Sequence, residues 1–386
     1  MKSQRLNNIV HDEFMDIKHI YSESVRHFLE PVISLLDDPE VSEILINGPE
    51  TIYFEKAGKL YLSDCSFSTE RMLKAAATNI AEYCNRRFDS KNHSVDARLP
   101  DGSRVHIIIP PSSRIGTCIS IRKFKKSSFS LESLVQWGSL TSEVSEFLQL
   151  CVLLHKNTII SGGTGTGKTS TLNALSTSIP DTERIIVIED SSELQLNQPH
   201  TVYLEAQQAA PDGTGGVTIR DLFVDSLRMR PDRIVVGEVR RGEALDLIQS
   251  MISGHSGSLT TVHANTPRDA AIRLETLCMM SDVSLPVYVA RTQVASAVHV
   301  VVQIGRFADG SRKITTVSEC NGLDNENHYI FNDIYYSDYQ GLDEQGRVRV
   351  SLKRTGYVPT FAEEPFSQGF EKKVRETDGV FCRKSL

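Results

Sequence analysis

The sequence predicts an α/β protein of two domains: a larger one on a parallel-rich sheet covered on both faces, and a smaller α/β domain before it. Three observations lead there. Continuous β-type apolar runs at Thr158 to Ser161, Arg184 to Ile188 and Arg233 to Val236 alternate with helical stretches, as central strands of parallel sheets do. Upstream, the alternating segments Glu43-Ile44-Leu45-Ile46 and Thr51-Ile52-Tyr53-Phe54 flank the turn signal Asn47-Gly48-Pro49. A chain of 386 residues suits two to three average domains.

Taken in order, Met1 to Arg26 carries charges throughout and shows no apolar core with the small-residue cleavage site of a secretory signal, and residues 1–24 read as an N-terminal tail. The smaller domain is expected over 25–124. It opens with a short helix ending near Asp38-Pro39, followed by the strand-turn-strand. A helix over 69–88 comes next, with Met72, Leu73, Ala76, Ile80 and Cys84 at helical spacing. Strands at Val105 to Ile109 and Cys118 to Ile121 close the domain. Lys123 to Ser130 is basic, serine-rich and aperiodic, which predicts a linker over 125–139 with a hinge near Lys125.

The larger domain, 140–320, starts with a helix over 140–156, then the strand Thr158 to Ser161, a glycine loop and a helix over 168–177. From 321 to 386 the chain is polar, and Tyr329-Ile330-Phe331 and Val348-Arg349-Val350 read as edge strands.

Composition narrows the function classes. With 40% apolar and 24% charged residues this is an ordinary folded protein. A net charge of -7 without a basic stripe argues against nucleic acid as the main partner. The seven cysteines include no C-x-x-C pair, so neither a zinc cluster nor a disulfide framework is indicated and a reducing cytosol fits. No stretch approaches the roughly 18 consecutive apolar residues of a transmembrane helix.

The chemistry concentrates in Gly162-Gly163-Thr164-Gly165-Thr166-Gly167-Lys168-Thr169, which matches G-x-x-x-x-G-K-[ST] between a β-type run and a helix. Glycines let backbone N–H groups converge on phosphates, and the helix start adds partial positive charge. Lys168 is placed to reach the β and γ phosphates of ATP, and the Thr169 hydroxyl to hold Mg²⁺. Ser170 follows in the same helix start and joins the nucleotide-binding set.

Hydrolysis also needs a carboxylate at a strand end near the loop. Ile234-Val235-Val236-Gly237-Glu238 offers Glu238, either to position water and hold Mg²⁺ through water or only to cap a turn. Ile186-Val187-Ile188-Glu189-Asp190 offers a second acidic end, with Glu189 as a further catalytic candidate and Asp190 beside the nucleotide; solvated strand-end acids are the alternative. His263, in Thr260-Thr261-Val262-His263-Ala264-Asn265, reads as a structural histidine or as a γ-phosphate sensor; His255 lacks the companions of a metal site.

These motifs, in this order over about Asn157 to Asn265, resemble the type II/IV secretion-system ATPase superfamily of secretion and pilus motors. Its Walker A, Asp box, atypical Walker B and His box match the loop, Glu189-Asp190, Gly237-Glu238 and the His263 segment; a glycine before the Walker B glutamate is usual there. Upstream, Leu35-Leu36-Asp37-Asp38-Pro39 with Glu43 to Gly48, Asp96 to Val105 and Ser120 to Phe124 look most like the Tad (Flp) pilus motor branch. The C-x-x-C pairs common among type II assembly ATPases are missing.

The resemblance implies a RecA-like P-loop ATPase domain behind a PAS-like N-terminal domain, with ATP and Mg²⁺ bound. It further implies that Arg98, Arg104 and Arg122 approach the nucleotide phosphates, with Arg240 and Arg241 as weaker candidates. A homo-hexameric ring is implied, cytoplasmic and peripheral to the inner membrane, driving a membrane platform protein in Tad or type IV-like pilus assembly or protein secretion. A conjugation-type traffic ATPase and a DNA-translocating RecA-like motor are the alternatives.

Overall fold

The computed structural model describes residues 23–382 apart from 57, 85, 90–91, 125–128, 208, 210–212, 375–376 and 378. The expected tail over 1–24 lies outside the described residues except for Glu23 and Ser24, and so does the hinge expected near Lys125. The described residues form two compact units, one up to residue 124 and one from residue 129 onward.

The first unit is a six-stranded antiparallel sheet of β1 (Val41–Asn47), β2 (Ile52–Lys56), β3 (Lys59–Leu62), β4 (Ser94–Arg98), β5 (Arg104–Ile108) and β6 (Cys118–Arg122), in the order β3-β2-β1-β6-β5-β4. Its alternating pattern places Ile44, Ile46, Val105, Ile107, Ile119 and Ile121 in one core with Leu73, Ala76, Ala77 and Ile80 of the helix Glu70–Tyr83. The Thr69 hydroxyl caps that helix by accepting from the Met72 amide at 3.2 Å. The expected helix to residue 88 stops at Tyr83, and Met72 is 50% exposed, because the buried stripe runs through Leu73, Ala76 and Ile80 and Met72 falls beside it.

In the second unit, β7 (Thr158–Gly162), β8 (Ile185–Glu189), β9 (Thr201–Glu205), β10 (Arg233–Val236), β11 (Leu259–Val262) and β12 (Val300–Arg306) are parallel and are extended by the antiparallel strands β13 (Arg312–Leu323), β14 (Tyr329–Leu342) and β15 (Val348–Arg354). The order is β15-β14-β13-β12-β7-β11-β10-β8-β9. This is the RecA-like α/β architecture expected.

The continuous apolar runs have a direct cause. Ile185, Val187 and Val235 enter a core with the helices Ser142–Leu153 and Lys168–Ser176, while Ile186, Ile188, Ile234 and Val236 enter the opposite core with Glu243–Ile252, Pro267–Met279 and Val287–Ala297. With both faces of each strand buried, truncating one such isoleucine to alanine costs about 2–5 kcal/mol.

Three expectations change here. The linker does not extend to 139: Leu131–Gln136 is a helix with a Ser130/Ser133 capping box, and Leu131 and Leu134 are buried in the second unit. No break occurs at 320/321, since β13 runs through it and its Val317 is buried in the core. Finally, β14 pairs on both sides, leaving β15 as the edge strand.

Candidate nucleotide-binding site

All the acidic and basic candidates of the second unit lie at the carboxyl ends of its parallel strands, where open α/β sheets bind ligands. β7 leads into the glycine loop, β8 ends in Glu189, β10 is followed by Gly237 and Glu238, and β11 by His263. Parallel pairing of β11 with β7, β10 with β11 and β10 with β8 places these four ends side by side.

The loop is shaped by its glycines and closed by its own side chains. Gly165 and Gly167 have φ of 70° and 93°, left-handed values that cost a residue with a Cβ about 1–2 kcal/mol. The Thr166 hydroxyl donates to the Gly163 carbonyl at 2.9 Å, and Lys168 Nζ donates to the same carbonyl at 2.9 Å. Thr164 and Gly165 are exposed at the loop crest, whereas Gly162 and Lys168 are buried beneath it. Thr169 and Ser170 stand half-buried in the first turn of the helix Lys168–Ser176.

Behind the loop runs a series of polar contacts. Lys168 Nζ lies 3.4 Å from His263 Nδ1, His263 Nε2 lies 3.0 Å from Glu238 Oε1, and Arg240 donates to Glu238 Oε2 at 2.7 Å and to Asp190 at 3.3 Å. Burial, partly offset by the Glu238 charge, lowers the pKa of Lys168. Burial and then the Lys168 cation lower that of His263, which favours the neutral ring. The hydrogen bond to Glu238 raises the pKa of Arg240.

Glu189 is held differently. Its Oε1 accepts the backbone N–H groups of Glu193 at 2.9 Å and Leu194 at 3.0 Å, and its side chain is buried. A Cβ on Gly237 would stand 3.0 Å from Glu189 Cγ and 3.3 Å from Oε1. The glycine before Glu238 therefore makes room for the acid of the neighbouring strand, a reason invisible in either segment alone. The Thr261 hydroxyl fixes the Gly237 carbonyl at 2.8 Å.

In the first unit Arg98, Arg104 and Arg122 are direct partners across β4, β5 and β6, so three arginines form one lateral row. The row continues into Glu43, paired with Arg122 on β1 and 3.8 Å from its guanidinium. Arg241 lies in the turn before the helix Glu243–Ile252, where its backbone N–H donates to Glu243 at 2.9 Å. His255 lies in the loop after that helix.

Sequence reasoning missed two arginines and a glutamine. The Arg312 Nε–H donates to the Gly165 carbonyl at 2.9 Å, and Arg306 Nη1 lies 3.7 Å from where a Gly165 Cβ would be. Gln303 on β12 donates to the Ala264 carbonyl at 3.2 Å, behind the His263 segment. No local signal marks them, because the pairing of β12 with β7 brings them in from far along the chain.

Among the described residues no group of three or more His, Cys, Asp and Glu side chains is arranged to hold a metal ion. No helix among them is long and apolar enough to cross a membrane.

A family model described as type II/IV secretion system protein matches residues 26–351. The type IV secretion system protein PtlH of Bordetella pertussis is 33% identical over 318 residues, which cover 75% of this chain and 93% of that protein. The type IV secretion system protein VirB11 of Bartonella henselae is 33% identical over 327 residues, covering 75% and 91%. Among solved structures, the ATPase DotB of Yersinia pseudotuberculosis matches with a TM-score of 0.53 at 17% identity over 77% of this chain and 78% of that one, a likeness of fold.

Proposed function

This chain belongs to the type II/IV secretion system protein family, and from that premise we propose that it is an ATPase subunit powering a type IV secretion or pilus-type machine. One observation carries the proposal: the unbroken contacts from the phosphate loop through Lys168 and His263 to Glu238 and Arg240. Residues able to bind phosphate, sense it and orient water are in mutual reach.

In this reading the loop amides and Lys168 hold the β and γ phosphates of ATP, and Lys168 exchanges its Gly163 carbonyl for phosphate oxygen. Glu238 orients the attacking water and takes its proton as the bond from the γ phosphorus to the β–γ bridging oxygen breaks, releasing ADP and phosphate. Neutral His263 keeps Glu238 Oε1 oriented, and Arg240 at the mouth is free to swing from Asp190 and Glu238 toward phosphate charge. The donors present suit Mg²⁺, since the Thr169 hydroxyl and, through water, the Glu238 carboxylate are hard oxygens; bound there, the ion neutralises phosphate charge. Arg98, Arg104 and Arg122 are proposed as further phosphate contacts, with three guanidinium groups concentrated in one row.

The names of the relatives support a type IV secretion traffic ATPase, and Tad-type pilus assembly, implied by the resemblance of Leu35 to Gly48, Asp96 to Val105 and Ser120 to Phe124, is the second reading. A deletion strain that keeps its pili but loses substrate export favours the first, and the reverse favours the second. Assembly as a ring of six on a membrane platform protein belongs to the same proposal, and sedimentation with a non-hydrolysable ATP analogue tests it.

The biochemical core is tested by phosphate release from the purified protein. Mg²⁺-dependent hydrolysis is expected, and Lys168→Ala is expected to reduce it at least about 100-fold. Full activity in Lys168→Ala would contradict the proposal.

A further inference from the structure

The hairpin between β12 and β13 brings two cations to the phosphate loop. Arg306 and Arg312 are direct partners in the antiparallel ladder, and facing like charges there repel each other. Among the described residues neither guanidinium has a carboxylate in ion-pair reach, whereas Arg220, Arg233, Arg240 and Arg291 each do. An arginine pair without a counter-ion is set up to receive an anion.

The contact geometry assigns Arg312 a more specific role. Its Nε–H holds the Gly165 carbonyl at 2.9 Å, and its Cδ lies 3.3 Å from where a Gly167 Cβ would be, so the side chain runs along the loop past both glycines. In a trans peptide the carbonyl and the following N–H point in opposite directions. Holding the Gly165 carbonyl on the hairpin side therefore turns the Thr166 N–H away from the hairpin. Gly165 and Gly167, with their left-handed φ values, have the freedom to let these peptides flip.

We propose that the β12–β13 hairpin is a second arm of the nucleotide site, in which Arg312 is a positioning residue that locks the Gly165–Thr166 peptide with its amide facing the bound phosphates. Arg306, beside Gly165, supplies the uncompensated positive charge that draws the polyphosphate to the loop. The arm also ties the site to the C-terminal strands, because β13 continues from Arg312 to Leu323 and pairs with β14. The proposal rests on the loop being the nucleotide site.

The test is binding of a fluorescent ADP analogue, with apo melting temperature and ionic strength as second readouts. Arg312→Ala is expected to weaken binding about ten-fold with the apo melting temperature within a few degrees of wild type, and Arg312→Lys to recover part of the loss. Arg306→Ala is expected to weaken binding several-fold and to flatten its salt dependence. If Lys168→Ala abolishes binding while Arg312→Ala and Arg306→Ala bind like wild type, the arm is wrong and the site stands. Wild-type binding by Lys168→Ala overturns the site itself. A lower apo melting temperature in Arg312→Ala with unchanged affinity reduces the hairpin to a structural brace and overturns the proposal.

Discussion

The acidic ends of β8 and β10 are neighbours in the same sheet, yet they hold their carboxylates in opposite ways. Glu189 is buried and bound by two backbone amides, which move only if the loop after β8 moves. Glu238 is bound by two side chains, Arg240 and His263, of which Arg240 is more than half exposed. Backbone partners make a fixed strut and side-chain partners make a clasp that opens. The difference separates an acid that shapes the site from one that can change partners during a reaction.

The largest expected effect breaks or confirms that contrast directly. Glu238→Gln is expected to lower kcat by about 100-fold or more with ATP affinity nearly unchanged, the signature of a lost proton acceptor. Glu189→Gln keeps one oxygen for the Glu193 and Leu194 amides and is expected to cost about ten-fold or less. Equal losses in the two variants would erase the distinction between strut and clasp. Gly237→Ala sharpens it: a methyl pressed against Glu189 is expected to cost about 1–3 kcal/mol of stability and a few-fold in kcat, read by denaturant unfolding and steady-state kinetics.

The smallest effect concerns pH. The pKa of His263 is lowered chiefly by burial, so below about 6.5 the unfolded chain binds a proton that the folded site resists, and stability falls as pH falls. His299, held neutral down to about 4 by burial, adds a loss of the same sign. Melting temperatures at pH 7.5 and 5.5 are expected to differ less in His263→Gln than in wild type, with the His299 contribution common to both. An unchanged difference removes His263 from the account.

What the sequence disclosed follows from how far apart the cooperating residues lie. Gly162 to Thr169 was legible because a phosphate loop is built from consecutive residues, and Glu238 and His263 because strand ends carry their own apolar run ahead of them. The reason for Gly237 was not legible, because Glu189 lies on β8 and only the β8–β10 register brings the two together. Arg312 was hidden for the same reason on a larger scale, its partner Gly165 being reached through two strand pairings. The C-terminal segment reads as separate because its strands are polar and half exposed, although Val317, Ile334 and Tyr335 anchor them in the core.

The arginine row of the first unit has a consequence in terms of solution conditions. Along one line of the sheet the order is Glu55, Glu43, Arg122, Arg104, Arg98, so acids gather toward one side and bases toward the other. Adjacent like charges repel within the Debye length of about 10 Å at 0.1 M salt. Dilute buffer therefore strengthens each like-charged contact along this line and added salt screens it, and the Arg122–Glu43 contact is screened with it.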